Sequence, residues 1–122
     1  MVDSCGWIEF FGGGALADRY EPYVTRASRK THYTSAIVIY EVFKRMSRTG
    51  EREALEACGS IVSSTNVVPV DEKVALLAAD LSMKHGLSVA DAIIKATADL
   101  CGAKIVTSDE HLGKLKGVQL IV

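Results

Sequence analysis

The chain lacks most features of secreted, membrane-spanning and zinc-finger proteins. Its only cysteines are Cys5, Cys58 and Cys101, an odd number without Cys-x-x-Cys spacing, so neither a disulfide framework nor a zinc site is expected. Apolar runs such as residues 37–40 and 74–79 are far too short to cross a bilayer. No basic residue precedes Arg19, which argues against a signal peptide. These absences predict a protein of the reducing cytoplasm with no membrane association.

Several common catalytic signatures are missing as well. The glycines at 12–14 are not followed by Gly-Lys-Ser/Thr, so they predict a helix stop rather than a P-loop. There is no Gly-x-Ser-x-Gly elbow of the serine hydrolases. The histidines His32, His85 and His111 are scattered and do not have the spacing of metal ligands. Nucleotide-binding loops and elbow-type hydrolases are therefore excluded.

What the chain does have is the composition of one ordinary globular domain. With 122 residues, 48% hydrophobic and 24% charged, residues 1–122 are predicted to form a single domain with one core. The net charge is only −1, but residues 26–48 carry six bases and one acid. Such a basic block can bind a polyanion, or it can be a solvated helix face balanced by the acidic residues 49–72. The candidates for contacts to such a polyanion are Arg26, Arg29, Lys30, Lys44, Arg45 and Arg48.

Strand and helix signals alternate along the chain. The patterns predict short strands at 1–4, 30–33, 66–70, 103–107 and 118–122, and helices at 5–11, 16–29, 34–48, 51–63, 71–85, 88–101 and 110–115. Alternation of this kind requires crossover connections, which place helices on both faces of a parallel sheet. The expected fold is therefore a three-layer α/β/α domain with a central parallel sheet.

Four acidic residues stand close to the ends of apolar runs: Asp3, Glu41, Asp91 and Asp109. Three of them lie where a strand or loop gives way to a helix, the edge at which open parallel sheets bind ligands. Carboxylates gathered there repel one another unless a cation joins them. Hard oxygen ligands favour Mg²⁺, with Mn²⁺ as a possible substitute, and these ions suit work on phosphates. The pattern predicts metal-dependent phosphodiester chemistry.

Each acid also has an ordinary structural interpretation. Asp3 and Asp109 stand where an N-cap is expected, and Asp91 has capping-box spacing. Glu41 precedes Arg45 by four residues, the favourable order for an ion pair on a helix surface. The functional interpretation depends on the four acids lying together.

The chain opens with Val-Asp-Ser and contains the strings IVIYEVFKR, SVADAIIKATA and GAKIVTSDEHL. In these motifs it resembles the PIN-domain family and, within it, the VapC-type toxins of prokaryotic toxin–antitoxin pairs. The resemblance covers nearly the whole chain. It implies the α/β/α fold, an acidic Mg²⁺ site and ribonuclease activity, together with an inhibiting antitoxin and a homodimer. The residues that it assigns are the four acids Asp3, Glu41, Asp91 and Asp109 and the nearby hydroxyls of Ser4 and Thr107.

One departure from the family pattern concerns the first strand. Relatives usually have several apolar residues before the first Asp, whereas here only Val2 lies between Met1 and Asp3. The central strand is therefore expected to be very short.

Two rival functions belong to other classes. A phospho-accepting receiver domain is disfavoured because Asp3 has no acidic neighbour and no lysine follows Val118. A PIN fold that binds nucleic acid or a partner without cleaving it usually loses acids, and this chain has all four.

Overall fold

The computed structural model describes residues 1–122 as seven helices and four three-residue strands. In chain order the elements are α1 (Ser4–Gly12), α2 (Ala17–Thr25), β1 (Tyr33–Ser35), α3 (Ala36–Met46), α4 (Glu51–Ser64), β2 (Asn66–Val68), α5 (Glu72–His85), α6 (Val89–Cys101), β3 (Ile105–Thr107), α7 (Glu110–Gly113) and β4 (Val118–Leu120).

All strand pairing is parallel, as the alternation of strands and helices predicted. Strand β1 pairs with β2, and β3 pairs with β4, so the strands form two two-stranded sheets rather than the single central sheet that was predicted, because no hydrogen-bonded ladder joins the two pairs. The chain start contributes a single parallel bridge from Val2 to Val106, formed by hydrogen bonds from Val106 N to Met1 O (2.8 Å) and from Asp3 N to Val106 O (3.0 Å). The first strand is thus as short as expected, and it ends at Asp3.

The principal core lies between the strands and helices α1 to α4 and α6. Trp7, Tyr20, Ile61, Ile94 and Ile105 are almost fully buried there. A smaller cluster fills the space between α5, α6 and α7. Burial of this apolar surface is the main force that holds the helices against the strands.

Helix α3 shows how the apolar pattern sets the packing. Val42 and Met46 are buried, and Ile39 and Phe43 are partly buried against the same core, as their i, i+3, i+4 and i+7 spacing predicted. Glu41 lies within this helix. Its backbone position is consequently fixed by the packing of its neighbours.

Some predicted boundaries were wrong. Helix α2 ends at Thr25 rather than 29, because the Ser28 carbonyl accepts hydrogen bonds from Thr31 N (3.2 Å) and His32 N (2.8 Å) and forms a turn there. Strand β1 therefore begins later than predicted, at Tyr33. Strand β2 stops at Val68, since the following proline has no N–H for a ladder. No helix combines the length and apolar character needed to cross a membrane.

Candidate metal centre

Asp3 lies at the centre of the candidate site, where the chain leaves its single strand bridge and enters α1. It is the N-cap of α1 and only 4% exposed. Its Oδ1 accepts a hydrogen bond from Ser4 N at 2.7 Å, and its Oδ2 accepts one from Thr107 Oγ1 at 2.8 Å. The cap and the strand end together fix this carboxylate in one orientation.

Thr107 connects Asp3 to the fourth predicted acid. Its hydroxyl donates to Asp3 and accepts a hydrogen bond from Asp109 N at 3.0 Å. The Asp109 Oδ1 in turn accepts from His111 N at 2.8 Å, which makes Asp109 the N-cap of α7. The capping interpretation of Asp3 and Asp109 is correct, and the same hydrogen bonds bring the two carboxylates to one edge of the sheet.

Glu41 reaches this edge from α3. Its Oε1 is buried and has no hydrogen-bond partner. The ion pair with Arg45 that its spacing allowed does not form, since the three ion pairs of the chain are Arg52–Glu56, Lys84–Asp80 and Lys95–Asp99. Burial raises the pKa of Glu41; the Ser4 hydroxyl opposes this rise, and the charges of Asp3 and Asp91 add to it.

Asp91 lies in the first turn of α6. Its N–H donates to Ser88 Oγ, the N-cap, at 3.3 Å. Burial raises the pKa of Asp91, and the charges of Asp109 and Asp3 raise it further, whereas Ser88 and His111 act in the opposite direction. Asp91 therefore lies within the electric field of two other predicted acids.

The pKa of Asp3 is also affected by another of the four acids. Burial raises its pKa despite hydrogen bonds from Thr107, Ser4 and Cys5, and the charge of Asp109 raises it further. The charges of Asp3 and Asp91 thus act on Glu41, and the charge of Asp109 acts on Asp3 and Asp91. In the absence of a counter-charge, this repulsion opposes the simultaneous ionisation of all four.

The residues present fit a hard divalent cation by donor type. The four carboxylates supply the oxygen ligands that Mg²⁺ or Mn²⁺ prefers. One of these oxygens, Glu41 Oε1, is buried and has no hydrogen-bond partner in the protein. In the present side-chain arrangement, however, no three Asp, Glu, His or Cys groups converge closely enough to ligate one ion together. Binding would require the carboxylates to draw closer around the cation.

Cys5 and Tyr20 lie behind the Asp3 carboxylate. Cys5 Sγ is 3.5 Å from Asp3 Oδ2, 3.4 Å from Thr107 Oγ1 and 3.5 Å from the Tyr20 hydroxyl. Burial raises the pKa of Tyr20 strongly, so its hydroxyl stays neutral. Cys5 could be suspected from its position two residues after Asp3. No sequence pattern pointed to Tyr20, which comes from the separate helix α2.

The first three predicted RNA contacts precede β1 and do not hydrogen-bond to the acids. Arg26 lines a cavity of about 410 Å³ together with Arg19 and His32. Arg29 Nη2 donates to Val62 O at 3.2 Å, and Lys30 is exposed in the turn that follows.

The other three bases come from the end of α3 or just after it. Lys44 Nζ lies 5.7 Å from the centre of the Tyr40 ring, a distance at which a cation is attracted to the ring. Arg45 and Arg48 line a cavity of about 230 Å³ beside Glu9. Arg26, Arg29 and the pair of Arg45 and Arg48 thus line three different cavities, and the role of the six bases in binding RNA stays a prediction.

A cleft of about 640 Å³ opens beside Asp91 and was not anticipated from the sequence. Its polar walls include Ser88 and Asp91 at the start of α6, His85 at the end of α5, and His111 and Lys114 around α7. Scattered histidines and a lone lysine carry no pattern along the chain, because only the packing of α5, α6 and α7 brings them together.

The chain matches a known family over nearly its whole length. The model of the PIN domain family aligns with residues 1–118. The chain belongs to the PIN domain family. This confirms the family predicted from the motifs around Asp3, Glu41, Asp91 and Asp109. No curated protein sequence matches the chain.

Solved structures of other PIN chains share this fold at low sequence identity. A chain of a toxin–antitoxin complex from Klebsiella pneumoniae is 22% identical, with a TM-score of 0.78 over 97% of this chain and 93% of its own. VapC20 of Mycobacterium tuberculosis, described as a sarcin–ricin loop cleaving toxin, is 20% identical, with a TM-score of 0.82 over 99% and 98%. A chain of VapBC2 from Rickettsia felis, bound to promoter DNA, is 16% identical, with a TM-score of 0.71 over 99% and 96%. These likenesses confirm the predicted α/β/α fold.

Proposed function

We propose that this PIN domain is a Mg²⁺-dependent endoribonuclease and the toxin of a type II toxin–antitoxin pair. The observation that carries the proposal is the buried Glu41 Oε1, which has no hydrogen-bond partner and belongs to a carboxylate whose pKa burial and the charges of Asp3 and Asp91 raise. A buried carboxylate oxygen without a partner is costly unless a cation or a proton joins it. Fold similarity to a toxin described as cleaving the sarcin–ricin loop supports RNA as the substrate class.

In this proposal the carboxylates of Asp3, Glu41, Asp91 and Asp109 hold the metal, with Mn²⁺ able to replace Mg²⁺. When bound, the metal would supply positive charge to the scissile phosphate and activate water for in-line attack. Ser4 N and Thr107 Oγ1 keep Asp3 oriented through hydrogen bonds of 2.7 and 2.8 Å. The basic residues of 26–48 contact the RNA backbone, so binding weakens with salt.

The partners follow from the same proposal. A cognate antitoxin would block the acidic edge with a basic side chain, because four repelling carboxylates attract a cation whichever molecule supplies it. Two of the structurally similar chains come from toxin–antitoxin assemblies, which supports this choice. We also propose a cytoplasmic homodimer, and light scattering that shows a monomer at every concentration would refute the dimer.

The decisive test compares two aspartates that both cap a helix, one in the candidate metal centre and one outside it. Asp109 caps α7 by accepting from His111 N at 2.8 Å, and Asp71 caps α5 by accepting from Val74 N at 3.0 Å. Asn is an equally good cap, so Asp109→Asn and Asp71→Asn should both retain stability. RNA cleavage with Mg²⁺ should fall by orders of magnitude in Asp109→Asn and in Asp91→Asn, but not in Asp71→Asn.

The wild-type reaction sets the reference for these variants. Chelation by EDTA should abolish cleavage, and Mg²⁺ or Mn²⁺ should restore it. If the wild-type chain binds RNA but never cuts it with either metal, the chain is a binding module and the nuclease proposal fails. If Asp109→Asn and Asp71→Asn are equally active, Asp109 is a cap and nothing more.

A further inference from the structure

The cleft beside Asp91 is lined by basic side chains to which the proposed function assigns no role. Lys114, His85 and His111 line it, and the one carboxylate on its walls is Asp91. None of the three basic side chains belongs to an ion pair of the chain. Lys84, the neighbour of His85, is by contrast paired with Asp80 at 2.9 Å. Lys114 is therefore a cation on the wall of the cleft that has no ion-pair partner.

The cleft shares one residue with the candidate metal centre, because Asp91 lines its wall. A strand with one phosphate at the four acids would place an adjoining nucleotide beside Asp91. The volume of about 640 Å³ lies within the range of roughly 300–1,000 Å³ that is typical of ligand pockets. Leu87 and Leu115 supply apolar wall, and imidazole rings can stack on bases.

We propose that this cleft binds the nucleotide that adjoins the scissile phosphate, with Lys114 contacting its phosphate group and His85 its base or sugar. The inference rests on the ribonuclease function proposed above and adds a substrate subsite to it. Lys114 and His85 are positioning residues here, because they contact the substrate away from the reacting phosphate.

The test uses a charge-matched pair of lysines. Lys114 and Lys116 are both exposed, but only Lys114 lines the cleft. Affinity of the full-length chain for a labelled single-stranded RNA is measured without divalent metal over a series of salt concentrations. We expect Lys114→Gln to weaken binding about three- to tenfold and to lower the salt slope by about 0.7, the value for one phosphate contact on a single strand. Lys116→Gln, with the same change in net charge, should alter neither quantity.

Cleavage kinetics give an independent readout. Lys114→Gln and His85→Ala should raise KM and leave kcat nearly unchanged, because they remove binding that is equal in ground state and transition state. Lys84→Gln is the control for His85→Ala, since Lys84 is an adjacent cation outside the cleft.

The outcomes separate the two proposals. Wild-type cleavage with indistinguishable Lys114→Gln and Lys116→Gln variants would overturn the subsite and leave the nuclease standing. A wild-type chain that neither binds nor cuts RNA would overturn both. A fall in kcat at constant KM in Lys114→Gln would also contradict the subsite, because it would place Lys114 in the chemical step.

Discussion

The Thr107 hydroxyl donates to Asp3 Oδ2 at 2.8 Å while it accepts the Asp109 N–H at 3.0 Å. A single buried hydroxyl thus orients two of the four acids. Thr107 is fully buried, so no water can replace this hydroxyl without rearrangement. The spacing between Asp3 and Asp109 depends on it, although the hydroxyl itself bears no charge.

Thr107→Val should consequently cost both stability and activity. The substitution leaves Asp3 Oδ2 and the Asp109 N–H without their present partner, for which we expect a loss of about 1–3 kcal/mol in unfolding free energy. The matched control is Thr65→Val, which removes another buried hydroxyl, bonded to Thr34 Oγ1 at 2.8 Å. Urea unfolding should show comparable losses in both variants, whereas RNA cleavage should fall only in Thr107→Val. Equal activity in the two would show that the hydroxyl does not organise the site.

Metal binding should stabilise the chain, and Glu41 should account for part of the effect. A cation bound only to the folded state at about a hundred times its Kd adds about 2.7 kcal/mol. Glu41→Gln removes one charge from the repelling group, so the metal-free variant should melt higher than the wild type at neutral pH. It should also gain less from added Mg²⁺. Thermal melts of both proteins with EDTA and with Mg²⁺ check this. A metal-free variant that melts below the wild type would contradict the expected repulsion.

In the metal-free wild type, the contribution of Asp3, Glu41 and Asp91 to the unfolding free energy should fall as pH rises from mildly acidic to neutral. The pKa values of Asp3, Glu41 and Asp91 are raised in the folded state. The folded state therefore holds more protons than the unfolded state between the ordinary and the raised pKa values, and stability falls with pH across that interval. The difference in unfolding free energy between wild type and Glu41→Gln, measured at several pH values, isolates the Glu41 share. That difference should grow with pH in metal-free buffer and shrink with Mg²⁺. A difference that is independent of pH would show that Glu41 titrates normally.

Gly6 is the contact point between α1 and α2. A Cβ at this position would lie 2.5 Å from Tyr20 Cε1 and 2.7 Å from Val2 Cγ1, and Tyr20 is fully buried. Gly6→Ala should therefore destabilise the chain by about 1–3 kcal/mol through overpacking. Gly59→Ala is the control, because its Cβ would meet nothing within 4 Å in the middle of α4. It should stabilise by about 0.5–1 kcal/mol. Chemical denaturation of both variants measures the change in unfolding free energy. Changes of the same sign in Gly6→Ala and Gly59→Ala would refute the packing argument.

The sequence was a good guide where the information is local. Caps at Asp3, Asp109 and Ser88, the apolar stripe of α3 and the parallel connection pattern all arise from short-range chemistry, and the structure has them. The strand bridge at Val2 was also foreseen from the short stretch before Asp3. That all four acids bind one metal stays a prediction, since no three of them converge on one point.

Features that depend on packing between distant elements were not predicted. Tyr20 reaches Cys5 only because Gly6 allows α2 to approach α1. The cleft with Lys114 exists only because α7 packs beside the start of α6. The basic block occupies one stretch of the sequence, yet Arg29 lines one cavity and Arg45, at the end of α3, lines another. Such relationships have no signature in residue spacing.

The bond between Asp3 and Thr107 joins residues that are 104 positions apart. A ribosome delivers the chain N-terminus first at about 5–20 residues per second, so Asp3 emerges roughly 5–20 s before its partner. Throughout that time the first acid lacks the hydroxyl that orients it and the strand on which it pairs. Nascent and prematurely terminated chains therefore carry no assembled site. The Asp3–Thr107 pair is therefore completed only after Thr107 has been synthesised.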